Sequence, residues 1–122
     1  MKKILFIEDD GNFAEIIKTI LETSGFAVAL AKDGEEGLRA VQAEKPDLIL
    51  LDLILPKMDG FDFLKYFRAM NDIPWIPVLV FTSQAGSEMA ERVKELGAQG
   101  YLFKSQIDTH TLVDKLKEFL KD

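Results

Sequence analysis

The sequence predicts an α/β protein in which five parallel strands form one doubly wound sheet. Short apolar runs alternate with amphipathic segments along the chain, as expected when each strand is followed by a helix. Three of the runs are apolar almost throughout, which is typical of parallel strands that helices cover on both faces. Right-handed crossovers between such strands place helices on both sides of the sheet.

The five predicted strands lie at residues 3–7, 26–31, 47–52, 77–82 and 100–104. Pro46 favours an extended entry into the third strand. For five strands in a doubly wound α/β sheet, we expect the flavodoxin-like (βα)5 order 2-1-3-4-5, whose switch point lies between strands 1 and 3.

Helices are predicted between the strands and after the last one. Gly25 is predicted to end the first helix. The apolar residues of this helix share one face: Phe13, Ile16, Ile17, Ile20 and Leu21. The other helices are predicted at 34–45, from about residue 60, at 87–97 and at 108–122. In the third helix we expect Phe61, Leu64 and Phe67 to be buried.

Composition narrows the possible functions. A chain of 122 residues suits one domain, residues 1–122. The net charge of −6 repels phosphate backbones, so we expect no direct contact with nucleic acid. The absence of cysteine excludes disulfides, thiolate catalysis and cysteine-type zinc sites. The apolar run at 4–7 is too short for a signal peptide, and no stretch suits a membrane span. We therefore expect a cytoplasmic protein without membrane insertion.

Polar side chains follow the predicted strands at one edge of the sheet. They are Glu8, Asp9 and Asp10 after strand 1, Asp52 at the end of strand 3, Thr82 at the end of strand 4 and Lys104 at the end of strand 5. Adjacent strands lie about 4.8 Å apart, so Lys104 starts about 10 Å from Asp52, within reach of a lysine side chain. The sequence therefore predicts one polar site at the switch point, where open α/β sheets bind ligands.

These residue types favour phosphoryl chemistry. Clustered carboxylates repel one another and need a cation, and oxygen ligands without nearby histidine or cysteine favour Mg²⁺. Thr82 can donate a hydrogen bond to an anion, and Lys104 can neutralise it. Asp52 is placed to act as a nucleophile that forms an aspartyl phosphate.

Four segments carry a family resemblance: "ILFIEDD", "PDLILLDLILPKMDG", "PVLVFTS" and "GAQGYLFK". Each is weak alone, but the combination is highly specific. Over essentially its whole length, the chain resembles the receiver domain of two-component response regulators.

The resemblance implies roles for the acidic residues. Asp52 is similar to the phosphoacceptor of the family. Asp9 is similar to the direct Mg²⁺ ligand, with Glu8 acting through water and Asp52 also in the metal site. The backbone carbonyl of Ile54 would complete the protein's share of the coordination. Asp10 is a weaker candidate ligand.

The resemblance also implies a signalling mechanism. Thr82 and Lys104 would contact the phosphoryl group, and the rotamer of Tyr101 would follow Thr82. Receivers take phosphate from a histidine kinase or a phosphotransfer protein. They act on an effector protein or an output domain through the face of helix 4, strand 5 and helix 5, and a homodimer through that face is possible. Such a protein is no enzyme in the usual sense, since it catalyses its own phosphorylation and slow dephosphorylation alone.

The sequence departs from the family pattern in two ways. Ser105 follows Lys104 where most receivers have proline, often after a cis bond. A cis bond before serine costs about 3 kcal/mol, so we expect either a trans bond with a rearranged loop or a strained bond. The second departure is length, since the 122 residues are accounted for by the receiver-like segment; we expect either a stand-alone receiver or part of a larger protein. The resemblance also implies that Ile54 and Gln84, two residues after Asp52 and Thr82, tune the phosphoryl lifetime. Ile54 cannot orient a water, whereas Gln84 could, so we expect moderately slow self-dephosphorylation.

Structural interpretations compete for several of these residues. Asp9 and Asp10 could simply cap the first helix, and we expect Asp10 to do so. Tyr101 could be a packing residue of an edge strand. Asp59 with Gly60 is expected to form a turn and a helix start. Outside the predicted site, His110 is expected on the surface and Trp75 in loop packing near strand 4.

Three other protein classes remain as alternatives. A haloacid-dehalogenase-like phosphatase needs a second aspartate two residues after Asp52, where this chain has Ile54. A flavodoxin needs a hydroxyl- and glycine-rich phosphate loop after strand 1, where this chain has "EDDGNF". A degenerate receiver would act only as a binding module; Ser105 favours it, and the complete set of site residues argues against it.

Overall fold

The computed structural model of the chain describes residues 1–83, 86–106 and 108–120. Its five strands are parallel and form one sheet in the order β2-β1-β3-β4-β5. Helices follow every strand, and a short 3-10 turn precedes the last helix. The predicted fold class and strand order are confirmed.

The strands are β1 (Lys3–Ile7), β2 (Ala27–Ala31), β3 (Leu48–Leu51), β4 (Val78–Thr82) and β5 (Gly100–Phe103). The helices are α1 (Gly11–Thr23), α2 (Gly34–Glu44), α3 (Gly60–Arg68), α4 (Ser87–Glu95) and α5 (Thr109–Phe119). The 3-10 turn spans Lys104–Gln106. Each element overlaps its predicted range.

Some element ends match the prediction, and the others differ from it by one to three residues. The strand β4 begins directly after Pro77, because proline has no N–H to donate to the ladder. The strand β5 ends one residue early, since Lys104 opens the 3-10 turn. Gly97 has a φ of 103° just beyond α4, a left-handed conformation that glycine adopts without strain.

The core lies on both faces of the sheet, because successive side chains of a strand point to opposite sides. Strand residues buried under α2, α3 and α4 include Leu5, Ile7, Ile49, Leu51, Val78 and Val80. Strand residues buried under α1 and α5 include Ile4, Phe6, Leu48, Leu50, Leu79 and Phe81. Helices therefore cover both faces of the sheet. The edge formed by the carboxyl ends of the strands is where the candidate site lies.

Ile16, predicted on the apolar face of the first helix, and Phe61, predicted to be buried, are less buried than expected. Ile16 is 58% exposed, since the buried stripe of α1 runs through Ala14, Ile17 and Leu21. Phe61 is half-buried, with the Arg92 guanidinium 4.1 Å from the centre of its ring. Phe63 is fully buried in its place and stacks on Phe67 at 5.6 Å. Among the described residues, no helix is long and apolar enough to cross a membrane.

Candidate functional site

Strand register brings the predicted site residues to one edge. Ile7 pairs with Leu51 at the ends of β1 and β3, so the next residues, Glu8 and Asp52, are neighbours. The Asp52 N–H donates to the Ile7 carbonyl oxygen at 3.1 Å, which continues the ladder one step beyond the strands. At the other side of the site, Thr82 pairs with Phe103, so Lys104 emerges beside the end of β4.

Three carboxylates meet at this edge. Glu8 and Asp52 are 3% and 5% exposed, whereas Asp9 is exposed. One carboxylate oxygen from each of the three lies within 4.8 Å of the others. Two buried acids and one accessible acid at this spacing repel one another and suit a hard divalent cation, for which oxygen ligands are preferred. The residues present therefore fit a Mg²⁺ ion that would also take ligands from water or phosphate.

Lys104 brings the positive charge into this cluster. Its Nζ donates to Glu8 Oε1 and, at 3.2 Å, to Asp52 Oδ2. The same Nζ lies 4.7 Å from the centre of the Phe13 ring, a distance at which an ammonium gains from the ring's negative face. Lys104 thus bridges the candidate phosphoacceptor and one candidate metal ligand, as the strand order predicted that it could.

Burial and charge shift the pKa values of this pair. Burial raises the pKa of Glu8 above its usual value, although hydrogen bonds from Lys104 and the Asp10 N–H oppose the rise. Burial alone would lower the pKa of Lys104, but the Glu8 hydrogen bond and the charges of Asp52 and Glu8 outweigh it and leave this pKa raised. Lys104 is therefore held as a cation beside the carboxylates.

Asp10 caps α1, as the structural interpretation predicted. Its Oδ1 accepts the Phe13 N–H at 3.1 Å, and its own N–H donates to Glu8 Oε2 at 3.1 Å. Asp10 thus contributes to the site by orienting Glu8. The Ile54 side chain is 54% exposed, and its N–H lies 3.5 Å from Asp52 Oδ1. The backbone of Ile54 therefore lies beside Asp52, while metal binding by its carbonyl stays a prediction.

Thr82 and Tyr101 lie on the neighbouring strands. Thr82 is fully buried at the last position of β4. Tyr101 is half-buried in β5 and packs edge-to-face against Phe103, with the ring centres 5.0 Å apart. Burial raises the pKa of Tyr101 above its usual value. Packing of Tyr101 is confirmed, and its switching role stays a prediction.

The remaining sequence predictions concern loops and surface residues. The Lys104–Ser105 bond is trans, and the chain enters the 3-10 turn there. His110 is exposed, and Asp59 caps α3 by accepting the Asp62 N–H at 2.9 Å. Trp75 is 68% exposed, more open than loop packing implied. Gln84 lies outside the described residues.

Phe13 is a site residue that sequence reasoning assigned only to the core. Its ring packs against Phe6 and Phe81, with ring centres 6.4 and 5.9 Å away, and also faces Lys104. The sequence signal for this contact is weak, because it depends on how α1 packs over β1 and β4 and on where the Lys104 side chain lies. The available hint is the position of Phe13, five residues after Glu8.

Comparison with known proteins gives a consistent result. Residues 4–117 match the family model of the response regulator receiver domain. The chain is 40% identical over 105 residues to the alkaline phosphatase synthesis transcriptional regulatory protein PhoP of Bacillus subtilis, which covers 84% of this chain and 42% of that protein. The chain thus spans about two-fifths of the length of the curated relatives it matches.

Solved structures are similar over nearly the whole chain. The BeF3-activated N-terminal receiver domain of Klebsiella pneumoniae RstA superimposes with a TM-score of 0.91 at 28% identity, covering 98% of this chain and 99% of that one. The chemotaxis protein CheY4 of Vibrio cholerae gives a TM-score of 0.90 at 31% identity, with the same two coverages. These likenesses span the sheet, its helices and the strand ends that form the site.

Proposed function

The chain belongs to the response regulator receiver domain family, and from this premise we propose that it is a phosphorylation switch with Asp52 as the phosphoacceptor. One observation carries the proposal. The carboxylates of Glu8, Asp9 and Asp52 lie within 4.8 Å of one another, and the Lys104 ammonium binds two of them. This is a phosphoryl site with a nucleophile, candidate metal ligands and a fixed cation.

The proposed reaction is transfer of a phosphoryl group from a phosphohistidine. An Asp52 carboxylate oxygen forms a bond to phosphorus as the P–N bond breaks, and the bonding pair leaves with the imidazole nitrogen. The product is an acyl phosphate. Lys104 already lies 3.2 Å from Asp52 Oδ2, so a small movement brings its ammonium onto a phosphoryl oxygen. Thr82, at the end of the neighbouring strand, would donate its hydroxyl hydrogen to another.

Glu8, Asp9, Asp52 and the Ile54 carbonyl are the residues we assign to Mg²⁺. When bound, Mg²⁺ neutralises charge on the phosphoryl oxygens during transfer. Glu8 and Lys104 form a pair in this structure, so Lys104 exchanges one carboxylate partner for phosphoryl oxygens on phosphorylation. The burial of Glu8 and Asp52 excludes much of the water that would otherwise screen these charges.

We assign the signalling steps from the family. The phosphoryl donor would be a histidine kinase or a phosphotransfer protein. The output would be a population shift of the face formed by α4, β5 and α5, read by an effector protein or an output domain, with a homodimer through this face as one form. Relatives named as transcriptional regulators support a cytoplasmic location. Catalysis would be limited to the domain's own phosphorylation and slow dephosphorylation.

Intact mass after incubation with acetyl phosphate tests the phosphoacceptor. We expect one phosphoryl adduct that requires Mg²⁺ and is absent in Asp52→Ala. Asp47→Ala is the matched control, because this exposed aspartate flanks the opposite end of β3. It should be phosphorylated like the wild type.

Each result has a defined meaning. An adduct that survives in Asp52→Ala places the acceptor elsewhere. No adduct on the wild type, either from acetyl phosphate or from a phosphohistidine donor, supports a degenerate receiver that acts as a binding module. An adduct that forms equally well in chelator contradicts the metal assignment.

The slow dephosphorylation that we propose is tested at Ile54. This exposed apolar side chain, two residues beyond Asp52, cannot orient an attacking water. We expect Ile54→Asn to shorten the phosphoryl half-life, measured by loss of the adduct after removal of acetyl phosphate, and Ile54→Val to leave it unchanged. An equal half-life in all three proteins would remove Ile54 from this role.

A further inference from the structure

We propose that Gly34, the first residue of α2, is a positioning residue for the metal site. It acts through residues 53–59, the loop that joins β3 to α3 and that we call the 53–59 loop. The inference rests on the proposed function, because this loop begins immediately after Asp52 and contains Ile54. The α2 helix itself contributes no group to the proposed phosphoryl chemistry.

The first observation is a direct backbone contact. The Gly34 N–H donates to the Met58 carbonyl oxygen at 3.2 Å. Gly34 is buried, and so is the preceding Asp33, whose carboxylate accepts the Glu36 N–H at 2.8 Å and caps α2. The beginning of α2 is therefore a rigid, capped support against which the 53–59 loop rests.

The second observation is the space available at Gly34. A Cβ added there would lie 2.4 Å from the Met58 carbonyl oxygen and 2.9 Å from Met58 Cβ and Cγ. Contacts below about 3 Å are repulsive, and one of them involves backbone that cannot rotate away. Glycine is thus required here for close approach of two backbones. Any side chain at residue 34 must displace the loop or the helix.

The 53–59 loop transmits such a displacement to the site because it is closed at its base. The Gly60 N–H donates to the Leu53 carbonyl oxygen at 2.9 Å. A Cβ at Gly60 would lie 2.6 Å from the Asp52 carbonyl oxygen. The two ends of the loop are therefore packed against each other with no room to separate or approach. Displacement of Met58 by a side chain at residue 34 therefore shifts Leu53 and Ile54 relative to Asp52.

A third contact supports the same arrangement. Lys57 adopts a left-handed backbone conformation with a φ of 64°, which is unfavourable for a residue other than glycine. Its Nζ lies 3.8 Å from Asp33 Oδ2. Since the Lys57 side chain is 62% exposed, this ion pair alone is weak. This ion pair and the Gly34 hydrogen bond both join the 53–59 loop to the start of α2.

The test compares Mg²⁺ binding by unphosphorylated wild type and Gly34→Ala, measured by titration calorimetry with Mg²⁺ alone. We expect the dissociation constant to rise about tenfold or more, the size usual for groups that orient a ligand indirectly. Met58→Gly in the Gly34→Ala background removes two of the three closest atoms, so its dissociation constant should lie between those of wild type and Gly34→Ala. Met58→Gly alone controls for added loop flexibility.

Two glycine controls separate positioning from stability. Gly11 is also the first residue of a helix after a capping aspartate, and a Cβ there meets nothing within 4 Å. Gly37 lies in α2 itself, where a Cβ would meet Ile7 Cδ1 at 2.6 Å and not the loop. We expect Gly11→Ala and Gly37→Ala to bind Mg²⁺ as the wild type does, whatever their thermal midpoints.

The outcomes distinguish this inference from the proposed function. Wild-type affinity in a folded Gly34→Ala overturns the positioning role and leaves the phosphorylation switch intact. Equal weakening in Gly11→Ala also overturns it, because the effect would then follow from an alanine at a helix start and not from contact with the loop. No Mg²⁺ binding by the wild type overturns both.

Discussion

Lys104 places its ammonium against two carboxylates that are almost fully buried, Glu8 and Asp52. Such acids carry a large desolvation cost, which the nearby cation offsets. Removing one partner of a buried ion pair is therefore more damaging than the net value of the pair suggests, since the remaining charge has no compensation.

Lys104→Met tests this argument while keeping apolar contact with Phe13. In Mg²⁺-free buffer we expect the free energy of unfolding to fall by about 2 kcal/mol, less than for a fully buried pair because the lysine is partly exposed. Added Mg²⁺ should restore part of the loss, because it supplies a replacement cation. Urea denaturation with and without Mg²⁺ measures both effects.

Lys115→Met is the control for Lys104→Met, since Lys115 forms a surface ion pair with Glu118 at 3.8 Å. Its stability should match the wild type. A Lys104→Met protein that is as stable as the wild type without Mg²⁺ would show that the buried acids do not depend on this ammonium.

The role of Arg68, like that of Phe13, appears only in the structure. Its guanidinium donates to the carbonyl oxygens of Gly97 and Ile76 and to Gln99 Oε1 at 2.7 to 3.1 Å. It also lies 5.4 Å from the centre of the Trp75 ring. The planar fork of arginine thus joins the end of α3 to the turns before β4 and β5, which a lysine cannot reproduce.

Arg68→Lys should lower the free energy of unfolding by about 2 kcal/mol, because several charge-assisted hydrogen bonds are lost together. Emission of Trp75, the only tryptophan, should also change in the folded protein as the guanidinium leaves its ring. Exposed Arg39→Lys is the control, and denaturation followed by circular dichroism is the measurement. Equal midpoints for both variants would contradict the role of the fork.

The sequence predicted the site residues at strand ends and missed those that depend on contacts between distant elements. Asp52, Thr82 and Lys104 stand where apolar runs stop, so their neighbourhood follows from strand order alone. The Arg68 contacts span 29 and 31 residues to Gly97 and Gln99. No local pattern encodes such a contact, because it depends on the angle at which α3 ends over the sheet.

Among the elements, four helices share one way of starting. Aspartates at the N-cap of α1, α2, α3 and α5 each accept a backbone N–H of the first turn: they are Asp10, Asp33, Asp59 and Asp108. The α4 helix differs, since Gly86 precedes it with no side-chain capping bond. Of the two helices in the proposed signalling face, α4 is therefore the one whose start has no side-chain cap.

Asp108 makes the stability of α5 depend on pH. Hydrogen bonds from the Thr111 backbone N–H and hydroxyl lower the pKa of Asp108 below its usual value of 3.8. A carboxylate with a lowered pKa stabilises the folded state above the unfolded pKa, and this contribution is lost as pH falls through the folded pKa. Asparagine can accept the same backbone N–H but does not titrate.

Asp108→Asn should therefore lose less stability than the wild type when the pH is lowered from well above 3.8 to below it. Urea midpoints at a series of pH values give the comparison. Asp114→Asn is the control, an exposed aspartate within the same helix, and should follow the wild type. Parallel pH profiles for wild type and Asp108→Asn would mean that the cap contributes nothing beyond what asparagine supplies.

Element types were predicted correctly and element ends less well, for a physical reason. Apolar periodicity reports which face is buried, so it located the five strands and five helices that the described residues form. Ends depend on backbone conformations and hydrogen bonds that periodicity does not report. Examples are Lys45 after α2, which is left-handed with a φ of 49°, and the 3-10 turn that begins at Lys104. Ile16 and Phe61 illustrate the same limit, since each lies at the margin of its helix's buried stripe.

At the scale of the whole molecule, the charge distribution couples folding to cation binding. The chain has a net charge of −6, and folding brings Glu8, Asp9 and Asp52 together at one edge. In the unfolded chain Asp52 is more than forty residues from the other two, so the cluster exists only in the folded state. A cation that binds this cluster therefore stabilises the folded state by mass action.

We expect the free energy of unfolding to rise with Mg²⁺ concentration, by about 1.4 kcal/mol for each tenfold increase above the dissociation constant. Asp9→Asn should abolish this rise, and because Asp9 is exposed, the variant should be at least as stable as the wild type without Mg²⁺. Asp10→Asn keeps a capping oxygen and should retain the rise. NaCl at matched ionic strength separates site binding from general screening. Two results would contradict this prediction: equal stabilisation of the wild type by NaCl and Mg²⁺, or a response of Asp9→Asn like that of the wild type. Either would show that the three carboxylates do not act together as a metal site, so strand order would not be enough to predict phosphoryl chemistry.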